Sequence, residues 1–290
     1  MRTIALWLLV LIHGHNISAL DAAEPEYGFT HELRLPQLVE PPVVDGDLSE
    51  WRNFAYHDGI WDLNRLQHEP WYESDRNRLT LHVGEDSTRE DVASYADDLS
   101  ARYYMAWDSD YLYLGAEVSD NVNDVIDPDH EPSRWYFKDA ICWFVEAPFD
   151  EIAEEFGQGG HGFCFVIDES KPDYGAWWRH GNENENYIEE PIPRSDVDYE
   201  IVMDPDGSGR GDFVLEARVL MKNMMQEADP NWRPAQIGDE YGLSIVHTDP
   251  DGGEYGGHYL IYGIGRNDGY WAKATLVGPD ADTRLRRLAK

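Results

Sequence analysis

A chain of 290 residues is long enough for one large domain or two small ones, and its 42% hydrophobic and 13% aromatic content supplies ample core material, which excludes global disorder. Against 23 basic residues stand 57 acidic ones, a net charge of −34. Such a surface repels phosphate backbones and anionic lipid, so it argues against nucleic acid or a membrane surface as partner and suits solubility, divalent cations and neutral ligands.

Residues 1–23 read as a secretory signal peptide. Arg2 gives a thin positive start, residues 4–12 form a short apolar run, and small residues follow at Ser18, Ala19, Ala22 and Ala23, where a peptidase cuts. The run falls well short of the roughly 20 apolar residues that a membrane span needs. Residues 24–40 read as a polar lead-in of low regularity. Pro41 and Pro42 stop any preceding element, Asp45-Gly46 makes a turn, and Leu48 lies one helical turn from Trp51, with Asp47 or Ser49 as the cap. Residues 55–100 form a long acidic and aromatic insertion with Trp61, Trp71 and Tyr72, predicted as loop apart from one short strand over 79–83.

The clearest pattern lies in residues 101–120. Tyr103, Met105 and Trp107 alternate with Arg102, Tyr104 and Ala106; Leu112, Leu114, Ala116 and Val118 then alternate with Tyr111, Tyr113, Gly115 and Glu117. Period-two alternation on either side of Asp108-Ser109-Asp110 predicts a β-hairpin, whose apolar faces require a second layer. Residues 120–135 are an irregular acidic connection broken by Pro128 and Pro132. Short apolar runs at 139–146 and 162–167 have strand length. A hairpin is predicted from 197–203 to 213–220 around a glycine-rich turn, and a last pair from 241–247 to 258–262. The tail from Asp282 holds Arg284, Arg286, Arg287 and Lys290 and reads as a frayed end. Many short strands, Gly/Asp turns and almost no helical period give an all-β fold, sandwich or barrel.

Cys142 and Cys164 occupy corresponding positions on consecutive predicted strands. They are either a disulfide, as export permits, or two buried thiols acting as small hydrophobes; no CxxC or zinc spacing is present. Asp204-x-Asp206-Gly207-Ser208 has the start of a calcium loop, but Leu215 stands where the bidentate glutamate belongs, which favours a plain hairpin turn. Asp120, Asp124 and Asp127, with Asp129, either line a cation site or form a solvated acidic loop. His161, His180, His247 and His258 are scattered, with no nucleophile beside them in sequence.

The order of motifs resembles a known family. PPVVDGDLSEW, then ARYYMAWDSDYLYLGAEVSD, KDAICWFVE, DFVLEARVLM and GDEYGLSIVHTDPDG follow one another as do the motifs of carbohydrate-binding module family 9-like (DOMON-like) domains. The resemblance spans about residues 42–276. It implies an antiparallel, jelly-roll-like β-sandwich over 41–278, between the lead-in and a tail at 279–290, with 55–100 as its insertion. It also implies a sugar clamped between two aromatic platforms while charged and amide side chains take its hydroxyls. The first platform falls at Tyr136, one position from Trp135; the second falls near Arg266, with Tyr270 and Trp271 close by. Asp139 is the surviving polar partner, because Cys142, Cys164 and Val166 stand where the family has polar residues. For Trp135, Tyr136 and Asp139 the alternative is strand-end packing with a turn-stabilising carboxylate. Structural calcium is the cofactor the resemblance implies, and no organic cofactor is expected.

The expectation is a secreted or cell-surface, non-catalytic domain that binds glycan, associated with extracellular polysaccharide recognition or breakdown. Two alternatives stand beside it. One is a glycan-processing enzyme of glycoside-hydrolase type that uses the 55–100 insertion as a wall. The other is a haem-binding relative of the same sandwich, which needs axial ligands such as Met105 and a histidine.

Overall fold

The computed structural model describes residues 33–60, 67–68, 80–83, 99–121, 135, 138–150, 157–168, 175–180, 187–222, 233–250, 257–262, 268 and 271–281. Almost all their regular structure is strand. In chain order these are β1 (Leu33–Pro36), β2 (Tyr56–Ile60), β3 (Gln67–His68), β4 (Thr80–Val83), β5 (Leu99–Trp107), β6 (Tyr111–Asp120), β7 (Ala140–Glu146) and β8 (Gly160–Val166). Then come β9 (Gly175–His180), β10 (Tyr187–Pro191), β11 (Val197–Met203), β12 (Phe213–Leu220), β13 (Glu240–Asp249), β14 (Gly257–Ile261) and β15 (Ala272–Val277). No helix among the described residues is long and apolar enough to cross a membrane.

The strands form two sheets packed as a sandwich. One runs β10-β9-β8-β7-β13-β14-β4-β3, with β15 on the first half of β13 and β1 on β15; the other runs β11-β12-β6-β5-β2. Pairing is antiparallel except for β1 with β15 and β3 with β4. The hairpin β5–β6 lies where alternation put it, and Asp108 builds its turn by accepting the amides of Asp110 and Tyr111 at 2.8 Å. The inward residues Tyr103, Met105, Trp107, Leu112, Leu114 and Ala116 meet Ile141, Trp143, Phe163, Leu243 and Ile245 of the opposite sheet in the main core. His247 sits inside it, with Nδ1 2.6 Å from the Tyr103 hydroxyl; burial lowers its pKa to about 3 and keeps it neutral.

The five-stranded sheet is buried on its outer face as well, which its polar half-pattern did not foretell. Leu38, Leu48, Trp51 and Ala55 pack on Tyr104, Ala106 and Tyr113, so the segment before β2 covers the hairpin. Glu216 of β12 anchors it: the carboxylate accepts the Trp51 indole N–H at 2.7 Å and the amides of Asp45 and Gly46, both at 2.9 Å. Burial pushes the Glu216 carboxyl up, and those three donors hold it down in part. Gly46 is obligatory here, with φ +85° and a site where a Cβ would fall 2.4 Å from Val202 Cγ2. Gly115 leaves room for Leu48 and Trp51, which a Cβ would meet at 3.0–3.1 Å. Asp47, rather than Ser49, caps the short 3-10 turn Leu48–Glu50 by accepting the Ser49 amide.

Three expectations are revised, and the hairpin turn expected at Asp204 is present. The end of the lead-in is a strand, β1, held in register by a partner more than 230 residues away in the chain. Residues 56–60 of the insertion are β2, an edge strand of the five-stranded sheet rather than loop. Two strands, β9 and β10, extend the larger sheet where none was predicted. The Asp204 segment is a hairpin turn, its carboxylate accepting the Gly209 amide and the Ser208 hydroxyl. Trp61, Trp71 and the tail from Asp282 lie outside the described residues.

Candidate functional site

Trp135, Asp139 and Trp271, the described members of the site expected at the strand ends, stand before β7 and β15 of the ten-stranded sheet. Alternation along β7 and β8 turns Ala140, Cys142, Phe144, Cys164 and Val166 outward, and they are buried there by aromatic side chains. Cys142 lies directly opposite Cys164, and the two form a disulfide. Trp135, just before β7, Trp178 of β9 and Trp271, just before β15, close over this row. Trp135 is 2% exposed and Trp271 not at all. The Trp135 ring lies 5.7 Å from Trp178 at 64° and stacks on His258 at 6.2 Å and 25°; Trp271 lies 5.7 Å from Phe144. These indoles are thus the floor of the face, packed as a second small core.

Polar groups surround that floor. Asp139, fully buried, heads β7, and its carbonyl accepts the Ile167 amide at 2.9 Å. Glu189 of β10 pairs directly with Trp178 and is half-buried; burial raises its carboxyl pKa, while the Trp178 indole acts to lower it. Sequence reasoning missed Trp178, Glu189 and His258. The Trp177-Trp178 pair was the available signal, but without a predicted β9 it had no face. Tyr136, Arg266 and Tyr270, the remaining members of the expected sugar site, lie outside the described residues.

Close to the same strand ends, Asp120 (end of β6), Asp139 and Asp249 (end of β13) each bring a carboxylate oxygen within 4.8 Å of the others, and all three are buried. The Thr248 hydroxyl fixes this junction, donating to the carbonyls of Lys138 at 2.6 Å and Ala140 at 3.3 Å. Three desolvated carboxylates at this spacing repel unless a proton or a cation neutralises them. Hard oxygen donors without nitrogen or sulfur fit calcium or magnesium rather than zinc. Of Asp120, Asp124 and Asp127, which the sequence offered as one cation site, Asp120 belongs to this group; Asp124 and Asp127 lie outside the described residues.

Elsewhere, Met105 is fully buried in the main core. His161 accepts the Trp177 indole N–H at 3.2 Å. A concavity of about 450 Å³ on the five-stranded sheet is lined by Arg102, Glu117, Ser119 and Asp212, and its one aromatic, Phe213, is buried in the main core.

The two antiparallel sheets packed as a sandwich are a fold that solved family 9 carbohydrate-binding modules share. Among solved structures the chain is similar to one such module from Caldicellulosiruptor kristjanssonii in complex with cellotriose, with a TM-score of 0.52 and 14% identity over 89% of this chain and 99% of that one. The glucose complex of a Caldicellulosiruptor kristjanssonii module matches with the same TM-score and identity over 86% and 97%. A Bacteroides uniformis protein assigned to carbohydrate binding matches at 10% identity and TM-score 0.52, over 84% of this chain and 98% of that one. At these identities the likeness is one of fold. No family model and no curated relative matches the sequence.

Proposed function

We propose that the protein is a non-catalytic carbohydrate-binding protein that is exported and acts on extracellular polysaccharide. The observation that carries this reading is the aromatic floor of the outer sheet face, where Trp135, Trp178 and Trp271 close over the disulfide and Glu189 pairs with Trp178. Sugar C–H faces pack on aromatic planes while flanking carboxylates accept hydroxyls. With the three indoles closed over the disulfide, the ligand falls to Tyr136 and Tyr270, next in sequence to Trp135 and Trp271, to Arg266 and to Glu189 of β10. Asp139 heads β7. Asp120, Asp139 and Asp249 hold a structural calcium in the same reading.

A glycan array with and without calcium, followed by calorimetry with cellotriose and the best array ligand, tests it. The apolar row left by Cys142, Cys164 and Val166 removes polar partners, so affinity is weak, with Kd on the order of 0.1–1 mM. Tyr136→Ala and Glu189→Gln each weaken binding, and Trp61→Ala does not. Binding of no glycan overturns the reading, and loss on Trp61→Ala alone moves the site into the insertion.

A further inference from the structure

Four large apolar side chains stand open among the described residues: Val39 (79% exposed), Val43 (61%), Phe54 (67%) and Ile237 (64%). Val39 and Phe54 line one groove of about 340 Å³, with Leu38, Trp51 and Pro279 as its other apolar walls. Ile237 lies beside Gly278, the residue before Pro279, since a Cβ there would fall 3.4 Å from Ile237 Cδ1. Gln37 and the exposed Glu40 and Glu50 complete the lining, so apolar walls meet polar groups that include two carboxylates. Apolar surface gathered in this way marks a docking surface.

We propose that its occupant is the basic segment that follows in the same chain, residues 282–290. Its sequence, DTRLRRLAK, holds 4 of the 23 lysines and arginines of a chain with net charge −34. Arg284, Arg286, Arg287 and Lys290 are the cations, and Leu285 and Leu288 stand three apart, the spacing that puts two side chains on one helical face. This composition matches a groove with apolar walls and two carboxylates. The path matches as well. Pro279 is itself a wall of the groove, and the Ala281 amide donates to the Gly278 carbonyl at 3.1 Å, so the backbone reverses there. From Ala281, two residues beyond the groove wall Pro279, the four steps to Leu285 span up to about 14 Å. Tethering at so short a distance gives an effective concentration in the millimolar range, so a contact too weak to detect in trans is populated in cis. The docked segment closes the open side of the segment that covers the five-stranded sheet.

Hydrogen exchange over residues 37–54, read with fluorescence of the apolar dye ANS, tests this on the full chain. The comparison is with Leu285→Asp/Leu288→Asp, with Arg284→Glu/Arg286→Glu/Arg287→Glu, and with that triple change combined with Glu40→Arg/Glu50→Arg. Both tail variants speed exchange over 37–54 by about 3- to 10-fold and raise dye fluorescence, and the combined charge swap restores protection. An unchanged near-UV circular dichroism spectrum of each variant shows that its core packing is kept. Equal exchange in the wild-type chain and both tail variants overturns the proposal. So does protection that survives the tail changes and grows with protein concentration, which assigns the groove to a second copy of the chain.

Discussion

At the scale of single residues, two buried ionisable groups shape the response to pH, with opposite signs. Glu146 closes β7; burial first, then the charge of Asp268 and the hydrogen bond that its protonated carboxyl donates to Asp150, raise its pKa to about 9. The folded state therefore keeps a proton that the unfolded chain releases above about pH 4.5. Its stabilising effect is complete below that pH and is lost as pH rises to about 9. The slope is about 1 kcal/mol per pH unit once solvent screening at the strand end is allowed for. His247, lowered to about 3 by burial, acts on the other limb. The unfolded chain takes up a proton below about pH 6.5 that the folded chain refuses until about 3, so stability falls with acid across that window. Stability should peak near pH 5–6.5. Urea midpoints at pH 6 and pH 8.5 check the alkaline limb: Glu146→Gln flattens it, and an unchanged slope in that variant refutes the assignment. Glu216 offers a second residue-scale prediction. Glu216→Ala strands three donors and frees Trp51, which costs about 3–5 kcal/mol, read as a fall in the urea midpoint.

At the scale of elements, the disulfide between β7 and β8 closes a loop with a sequence separation of 22. Loop entropy makes that worth about 3 kcal/mol. Cys142→Ala/Cys164→Ala should lower the melting temperature accordingly while leaving glycan binding measurable; a shift of under a degree would show that the covering tryptophans already hold the strands. The facing cysteines were legible in the sequence because both stand on predicted strands with the same alternation. So were the hairpins β5–β6 and β11–β12, where Asp and Gly turns separate long alternating runs. The missed strands lacked such local marks. In LRLP only Leu33 and Leu35 alternate, and their partner is the remote β15; GAWWRH and YIEEP, the latter an edge strand, carry aromatic and charged residues without a clean alternation. The candidate site was legible in part for the same reason. Trp135, Asp139 and Trp271 stand beside recognisable strands, whereas Trp178 and Glu189 are brought there by an unpredicted pair. Asp120 was grouped with its neighbours in sequence, but its partners Asp139 and Asp249 arrive through register across both sheets, which no local pattern encodes.

At the scale of the whole molecule, a charge of −34 sets the folded chain against itself. Self-repulsion favours the expanded state, and salt relieves it as the Debye length falls from about 30 Å at 0.01 M to about 8 Å at 0.15 M. Sodium chloride alone should therefore raise the melting temperature over that range and then level off. Divalent cations screen as well, so a gain with calcium proves a site only against a matched background. The test is a melting curve in 0.15 M sodium chloride with 1 mM EDTA, then with 1 mM free calcium or magnesium at the same ionic strength. If calcium settles among Asp120, Asp139 and Asp249, it binds only the folded chain, because only the fold brings those three strand ends within 4.8 Å. Calcium at 100 times its Kd then adds about 2.7 kcal/mol. Magnesium adds less, since it gives up its water reluctantly and demands a stricter octahedral shell. Asp249→Asn should remove the calcium increment and leave the sodium chloride response intact. Equal gains from calcium, magnesium and matched sodium would mean that no divalent ion is held among the three carboxylates, and that the fold satisfies them with its own polar and basic groups.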